Sequence, residues 1–417
     1  MLRSVRAVPI PLGNYMRPTR RDQRILLNML GEERLATSGI VVDPALWSIH
    51  EELSREAVSR RMEVVLDPQA LDLASAAGRD RAGVANLPWA GTRPHEPADF
   101  DRKGAAEFVG SILDFAADKP FTGLLAPAHY LASIDSRWLD VDIDLATRMR
   151  EEMDGRGDSN RPLYYPLVLH AEVLRNPGHR RRLVERLRTL DVDAIWLRVH
   201  PFGATSGPLA LRRYIEACRD LHALGIPLVG DRTGTAGVAL AAFGAVGAIE
   251  GGLTIGERFD MGSLTRPRSG EPFAPAPRVY LSEIGTFVSR DQARRLFEQR
   301  GMKAALGCQR EGCCRRGVVD MVGDPRPHFL IARGRELSSL SNMPEPLRAG
   351  RYMEQFLRPA SDLAVRAARA LPELDRHRRR LDGWREALGA LHRRDQDSAI
   401  TYSGAPDGSR IARRLGA

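Results

Sequence analysis

Carboxylate and imidazole side chains stand at the ends of several short apolar segments of this sequence. The segments 62–67 (MEVVLD), 194–200 (AIWLRVH) and 226–231 (IPLVGD) end in Asp67, His200 and Asp231. Such groups transfer protons or attack carbon centres in enzymes. Asp231 lies in GDRTG, which predicts a loop that presents its carboxylate, and a structural salt bridge is the alternative. His200 in RVHPFG indicates a substrate contact or a rigid or cis turn at its proline.

Three cysteines and one histidine form a second group with chemical potential. Cys308, Cys313, Cys314 and His328 fall within 21 residues. Three thiolates with one imidazole are a common closed, structural ligand set for zinc. We therefore predict one structural zinc ion bound by all four residues; the alternative is that only two cysteines bind and the third is a buried apolar residue.

Elements that could position these groups alternate along the chain, with short apolar strands followed by amphipathic helical segments. This order is typical of a parallel sheet whose two faces are both buried. We predict an α/β fold, a (β/α)8 TIM-type barrel, with its chemistry at the C-terminal ends of the strands. Nine candidate strands compete for eight places, and we expect the first to lie outside the barrel. They are 39–43, 62–67, 121–126, 164–170, 194–200, 226–231, 247–253, 278–284 and 303–307.

The same pattern predicts four regions. Residues 1–33 read as a basic leader and 34–307 as the barrel. Residues 308–395 follow as a zinc-binding and helical subdomain, with long helices at about 345–371 and 373–394. The polar, glycine-rich residues 396–417 are expected to be a disordered tail.

Composition favours an acidic partner and argues against a membrane protein. The 417 residues carry a formal net charge of +9, and 59 of the 62 basic residues are arginines. Arginine forks suit phosphates, although a GC-rich genome gives the same bias. No apolar stretch is long enough to cross a bilayer, and no secretory signal opens the chain, so a cytoplasmic protein is expected. Basic helical clusters at 179–188 and 377–380 indicate nucleic-acid contact or solvated faces.

The C-terminal part of the barrel resembles the tRNA-guanine transglycosylases. AIEGGLTIGE (248–257) is similar to their GGLAVGE motif, and RVYLSEIG (278–285) to their RYLMGVG strand. A helix at 289–299, a strand ending in ALGC (305–308), the cysteines and a histidine leading a long helix follow in the family's order. The resemblance covers about residues 245–371, a third of the chain.

The resemblance implies a purine or 7-deazapurine base as ligand. The substrate-binding residues it implies are Gly251, Gly252, Leu253, Gly256 and Glu257, to which the strand-end position adds His200.

The reaction that the resemblance implies breaks and re-forms an N-glycosidic bond, for which two carboxylates are needed. Asp231, Asp67 and Glu283 are the catalytic candidates, with Glu250 as a further strand-end carboxylate; Asp67 is also the match for the family's DSGGFQ aspartate. However, Gly307 stands where the family has its nucleophilic aspartate before the first cysteine.

The expected function is thus a base-exchanging transferase acting on guanine or 7-deazaguanine in tRNA or DNA. One alternative is a non-catalytic nucleic-acid-binding subunit of a transglycosylase complex, as in the heterodimers of the family. The other is an unrelated barrel enzyme with a small anionic substrate. As partners, the resemblance allows either a homo- or a hetero-oligomer.

Overall fold

Eight parallel strands close into a barrel in the computed structural model, which describes residues 12–253, 258–266 and 276–398. Each strand pairs with its neighbours in chain order, and the eighth closes the ring by pairing Ala248–Gly251 with Gly13–Met16. The predicted (β/α)8 barrel is therefore confirmed. The strands are β1 Gly13–Met16, β2 Gly39–Val42, β3 Glu63–Leu66, β4 Gly123–Leu125, β5 Leu163–His170, β6 Ala194–His200, β7 Leu228–Asp231 and β8 Ala248–Gly251.

Helices surround the barrel and continue beyond it. The helices are α1 Gln23–Gly31, α2 Trp47–Ser59, α3 Ala70–Leu73, α4 Ala76–Arg79, α5 Arg102–Ala117, α6 Arg137–Gly155, α7 Ala171–Arg175, α8 Pro177–Leu187, α9 Pro208–Leu221, α10 Ala236–Ala242, α11 Gly262–Thr265, α12 Arg290–Glu298, α13 Met302–Leu306, α14 Val318–Gly323, α15 Pro325–Ser341, α16 Glu345–Tyr352, α17 Arg358–Ala370 and α18 Asp375–Ser398. Between α16 and α17 a π-helical turn spans Met353–Leu357. No described helix combines the length and the apolar character that a bilayer crossing requires.

The interior of the barrel is filled in layers, because side chains alternate between the axis and the surrounding helices along every strand. A middle layer of apolar residues includes Val41, Val65, Trp196 and Val229. Below it, at the N-terminal end, Glu63 accepts hydrogen bonds from the hydroxyls of Tyr15 and Tyr164. These side chains therefore close the N-terminal end of the barrel. The polar groups at the C-terminal end can be reached only from that end.

The eighth helix of the barrel is α15, although it starts more than 70 residues after β8. It packs between α10 and α1 and also contacts β1. Asp324 caps its N-terminus by accepting from the backbone N–H of Arg326, and Pro325 occupies the first helical position. The chain between β8 and α15, which carries Cys308, Cys313 and Cys314, is therefore an insertion before the last barrel helix.

Three strand predictions are wrong. Segment 39–43 was expected outside the barrel, yet Gly39–Val42 is its second strand. Segment 278–284 forms a separate hairpin, in which β9 (Val279–Leu281) pairs antiparallel with β10 (Thr286–Val288) through a turn at Gly285. Segment 303–307 belongs largely to α13, because Lys, Ala and Leu favour helix more strongly than strand.

The predicted region boundaries also change. The supposed leader 1–33 contains β1 and α1, so the barrel begins at Gly13 rather than at residue 34. It was missed because GNYM is short and lacks the β-branched residues that mark strands. The two long C-terminal helical segments are confirmed. Helix α18 continues to Ser398, so it includes the first residues of the predicted tail; the rest of that tail lies outside the described residues.

Candidate active site and metal centre

Charged side chains form the top layer of the barrel interior, at the C-terminal ends of six strands. They alternate with outward-facing neighbours, so that each points toward the axis above the apolar middle layer. The members of this layer, called here the mouth cluster, are Arg17, Asp43, Asp67, Arg198, Asp231 and Glu250. Sequence reasoning placed Asp67 and Asp231 at this end of the barrel, and the structure brings them together.

Arg17 links three strand ends. Its Nη1 lies 2.5 Å from Asp43 Oδ1 and 2.8 Å from Asp67 Oδ2, and its Nε donates to Glu250 Oε1 at 2.8 Å. A buried guanidinium needs such partners, because an unpaired charge at this depth would be costly to desolvate. Arg17 therefore holds the ends of β2, β3 and β8 in fixed relation.

Arg198, on β6, makes the second bridge. Its Nε and Nη2 lie 2.9 and 2.6 Å from Asp231 Oδ2, and Nη2 is 3.7 Å from Asp67 Oδ2. Asp67 therefore faces two guanidinium groups. Although burial raises the pKa of Asp67, Arg17 and then Arg198 lower it below its ordinary value. Asp67 is consequently an anion across the neutral pH range.

Asp231 and Glu250 stand opposite each other on β7 and β8. Burial, then the charge of Glu250, raises the pKa of Asp231 to about 6 despite its pairing with Arg198. The pKa of Glu250 is lowered instead, because the charge of Arg17 and the neighbouring Asp231 carboxyl group outweigh the effect of burial. When two neighbouring carboxyl groups have different pKa values, one can donate a proton while the other stays ionised.

Left-handed backbone occurs beside both aspartates. Gln69 (φ 58°) follows Asp67 by two residues, and its backbone N–H donates to Asp67 Oδ1 at 2.9 Å. Arg232 (φ 53°) follows Asp231 directly, and its backbone N–H lies 3.2 Å from Glu250 Oε2. Non-glycine residues in this region store strain that is typical of functional sites.

A short segment of the loop after β8 covers the mouth cluster. Arg258–Phe259 pairs antiparallel with Phe202–Gly203, and the Phe259 ring lies 5.6 Å from the Arg198 guanidinium. His200 Nδ1 accepts from the backbone N–H of Met261 at 3.1 Å, so the histidine predicted to bind substrate holds this cover. The predicted turn after it is a cis His200–Pro201 bond.

The remaining predicted residues fall in three places. Glu283 is not among the mouth residues: it lies in the turn of the β9–β10 hairpin, outside the barrel, where its side chain is exposed. Gly251 and Gly252 line a small cavity on the outer side of the strand wall, and Leu253 is buried. Gly256 and Glu257 lie outside the described residues.

Position 307 cannot carry a nucleophile. Gly307 ends α13, away from the barrel, and a Cβ atom there would lie 2.5 Å from Lys303 O and from Val318 Cγ1. The glycine is required by this close packing.

The mouth arginines were missed by sequence reasoning. Arg17 follows a strand that was not recognised, whereas Arg198 carried a usable signal. An arginine within an otherwise apolar strand, two residues from Trp196 and from His200, must face the same side as they do.

The cysteine prediction is confirmed as a side-chain cluster that fits a metal ion. The ligand atoms of Cys308, Cys313, Cys314 and His328 all lie within 4.8 Å of one another. Cys313 and Cys314 Sγ are 3.8 Å apart, and they lie 3.4 and 3.5 Å from His328 Nδ1. A tetrahedron with metal–sulfur bonds of about 2.3 Å has sulfur–sulfur edges of about 3.8 Å, so these separations suit one central ion.

Backbone geometry makes the adjacent cysteine pair converge. The N–H groups of Cys313 and Cys314 both donate to Arg310 O, at 3.0 and 2.8 Å, which closes a tight turn. His328 lies in the first turn of α15, and its Nε2 is 3.1 Å from Tyr280 O, an arrangement that leaves Nδ1 directed at the sulfurs. The site thus ties α15 and β9 to the cysteine turn.

The two basic clusters are largely neutralised. In 179–188, Arg180, Arg182 and Arg186 pair with Asp220, Asp135 and Asp140. In 377–380, Arg378 and Arg379 both pair with Asp375. These clusters are therefore better described as ion-paired surfaces than as phosphate-binding stripes.

No protein-family profile and no curated protein matches the chain. Solved structures similar to it include a GH10 xylanase from Bispora sp. MEY-1, with 10% identity and a TM-score of 0.37 over 57% of this chain and 82% of that one. The carboxyl transferase domain of Rhizobium etli pyruvate carboxylase has 11% identity and a TM-score of 0.38, over 93% of this chain and 56% of that one. A class V chitinase from Pseudomonas fluorescens Pf-5 has 10% identity and a TM-score of 0.34, over 53% and 68%. Likenesses this remote carry no information about the chemistry of this chain.

Proposed function

We propose that this chain is a glycosyl-transfer enzyme that exchanges a guanine-type base in tRNA or DNA, in the manner of a tRNA-guanine transglycosylase. The observation that carries the proposal is the mouth cluster. It combines an anionic carboxylate, Asp67, with a second pair, Asp231 and Glu250, whose pKa values are separated. An N-glycosidic bond breaks through a cation-like sugar, which needs both an anion and a proton donor.

Asp67 is the proposed nucleophile. Its side chain is 15% exposed, whereas those of Asp231 and Glu250 are fully buried. Its carboxylate forms a bond to the anomeric carbon of the sugar while the bond from that carbon to the base nitrogen breaks. The bonding electron pair leaves with the base, whose nitrogen takes the proton of Asp231. The incoming base reverses these steps: its nitrogen attacks the same carbon, Asp67 departs as carboxylate, and the proton returns to Asp231.

Exposed arginines near the mouth support a polyanionic substrate. Arg20, Arg21 and Arg24 follow β1, Arg258 lies in the cover, and Arg266 follows it. None of these five has an ion-pair partner within the described part of the chain, in contrast to the paired clusters on the outer helices. Unpaired arginines around a cleft attract phosphates.

We propose further that the Cys308–His328 cluster holds a structural zinc ion. Three sulfurs and one nitrogen at tetrahedral separations are the donor set that zinc prefers in closed sites. When bound, the ion would neutralise the thiolates. The residues themselves would fix the start of α15 against β9, with no part in the exchange reaction.

The second candidate, a barrel enzyme with a small anionic substrate, is favoured by one observation. Phe259 is 3% exposed and lies over Arg198, so the mouth as described is covered. A polymer would reach Asp67 only after the cover moves, whereas a small substrate needs less opening.

Base exchange can be measured by the incorporation of radiolabelled guanine into unmodified tRNA and into duplex DNA. We expect incorporation by the native protein and none by Asp67→Asn or Asp231→Asn, because each loses a carboxylate that the reaction requires. Asp118→Asn is the matched control, since Asp118 is exposed and, among the residues that the structure describes, pairs with its neighbour Lys119 alone. Lack of incorporation into either polymer by folded, metal-loaded protein would favour the small-substrate candidate.

A further inference from the structure

A small cavity lies on the outer side of the barrel wall, next to the mouth cluster but separated from it by β8. Its volume is about 20 Å³, and it is bounded by the ends of β1 and β8, the loop after β7, the β9–β10 hairpin and α15. Asn14 and Ile249 face it because they alternate with the inward-facing Tyr15 and Glu250. This space is therefore distinct from the barrel mouth.

Three buried nitrogen atoms of the lining residues have no hydrogen-bond partner. Arg333, on α15, is 3% exposed, and Asn14 is 5% exposed. Arg333 Nε lies 3.5 Å from Glu336 Oε2 without forming a hydrogen bond, and Arg333 Nη1 and Asn14 Nδ2 are likewise unsatisfied. Burial of an unsatisfied N–H donor costs free energy, and a guanidinium costs more than an amide. The side chains of Arg333 and Asn14 therefore both need a hydrogen-bond acceptor inside the cavity.

The remaining lining narrows the chemistry of that acceptor. Phe287 and Phe329 are apolar, and Gly234 and Gly251 add no side chain that could crowd a ligand. Glu250 also contributes, but its carboxylate is engaged by Arg17 Nε and by the backbone N–H of Arg232. A positively charged fork beside an amide donor suits an oxyanion.

The position of the cavity also favours an oxyanion as its ligand. The loop after β7 supplies Gly234 and Thr235, and the end of β8 supplies Gly251 and Gly252. In (β/α)8 barrels, the loops after the seventh and eighth strands are a frequent place for phosphate binding. A volume of about 20 Å³ is small, so only one compact group of the ligand can enter.

We propose that this cavity binds a phosphoryl group through Arg333 and Asn14. The group would anchor a phosphate-bearing substrate beside β8 while the rest of the molecule reaches over the strand end toward Asp231. The proposal does not depend on base exchange, because any phosphorylated substrate of the mouth cluster would use the same anchor.

Isothermal titration of full-length, metal-loaded protein with inorganic phosphate tests this site. We expect saturable binding that Arg333→Gln weakens at least about tenfold, the usual effect of losing a charged donor. Arg335→Gln, on the exposed side of the same helix, is the matched control and should bind as the native protein does. Asn14→Asp is a second variant of equal size; its carboxylate would repel the anion, so it should also weaken binding at least about tenfold.

The two variants keep the test decisive. If Arg333→Gln fails to fold, as judged by circular dichroism, the result for Asn14→Asp decides. Absence of saturable phosphate binding at millimolar concentration would overturn the proposal, and so would native affinity in both variants.

Guanosine monophosphate and guanosine distinguish the sources of the phosphoryl group. Tighter binding of the nucleotide than of phosphate, lost in Arg333→Gln, identifies a substrate phosphate. Equally tight binding of guanosine monophosphate and of inorganic phosphate identifies free phosphate as the ligand. Binding of guanosine as tight as that of the nucleotide would overturn the proposal. Guanine incorporation is measured separately, so failure of base exchange leaves the phosphate result intact.

Discussion

Replacing Arg198 with methionine tests whether the mouth cluster is an electrostatic unit. The side chain is buried and contacts two carboxylates, Asp231 at 2.6 Å and Asp67 at 3.7 Å. Methionine fills much of the same volume but leaves Asp231 without its guanidinium and Asp67 with Arg17 alone. Removing one partner of a buried ion pair costs about 3–5 kcal/mol of the free energy of unfolding.

The pH dependence of this loss separates charge from packing. Without Arg198, the pKa values of Asp231 and Asp67 both rise. A carboxyl group whose pKa is raised by folding stabilises the protein at low pH, and this contribution is lost as pH increases through the folded-state pKa. Each unit of rise at Asp231, whose native pKa is about 6, therefore adds about 1.4 kcal/mol to the loss at pH 8 and little at pH 5. The loss at Asp67 is the same at the two pH values, because its native pKa lies below its ordinary value.

Urea-induced unfolding at pH 5 and pH 8, followed by circular dichroism, measures the effect. Arg182→Met is the matched control, because Arg182 forms an exposed ion pair with Asp135 and should lose at most about 1 kcal/mol. A loss below about 1 kcal/mol in Arg198→Met, or an equal loss at the two pH values, would refute the electrostatic account.

Three further predictions concern the metal, the proton donor and the cover. Elemental analysis should find about one zinc per chain. The Cys313→Ser variant should lose the zinc and unfold at a lower temperature. The Cys218→Ser variant should retain it, because Cys218 lies in α9 and is not a member of the ligand cluster. The rate of base exchange should fall as pH rises above about 6, since Asp231 then loses the proton it donates; a rate that is flat from pH 5 to 8 would exclude Asp231 as the acid. Phe259→Ala should lower the KM for a polymeric substrate with little change in kcat, because it opens the cover over Arg198; an unchanged KM would show that the cover does not limit access.

The fold was largely predictable because parallel barrel strands are continuous apolar runs that end in polar residues. Such runs locate β5, β6 and β7 directly, and with them His200 and Asp231. Assigning apolar runs to barrel strands failed where a run was too short to indicate which strand it pairs with. The run VYL in β9 is as apolar as a barrel strand, yet it pairs locally with β10.

Long-range pairing explains what the sequence alone did not reveal about the site. Arg17 and Glu250 are 233 residues apart and meet only because β8 closes the barrel against β1. Without β1, no pattern in the sequence indicates that Arg17 faces three carboxylates. The metal ligands were predictable for the opposite reason, since all four lie close together in the chain.

The central claim is that Asp67 forms a bond to the sugar. Incubating the native protein with tRNA or DNA without an acceptor base, followed by acid quenching, proteolysis and mass spectrometry, tests it directly. The account predicts a sugar adduct on the peptide that contains Asp67, and no adduct in Asp67→Asn. An adduct on another residue, or base exchange that proceeds undiminished in Asp67→Asn, would contradict it.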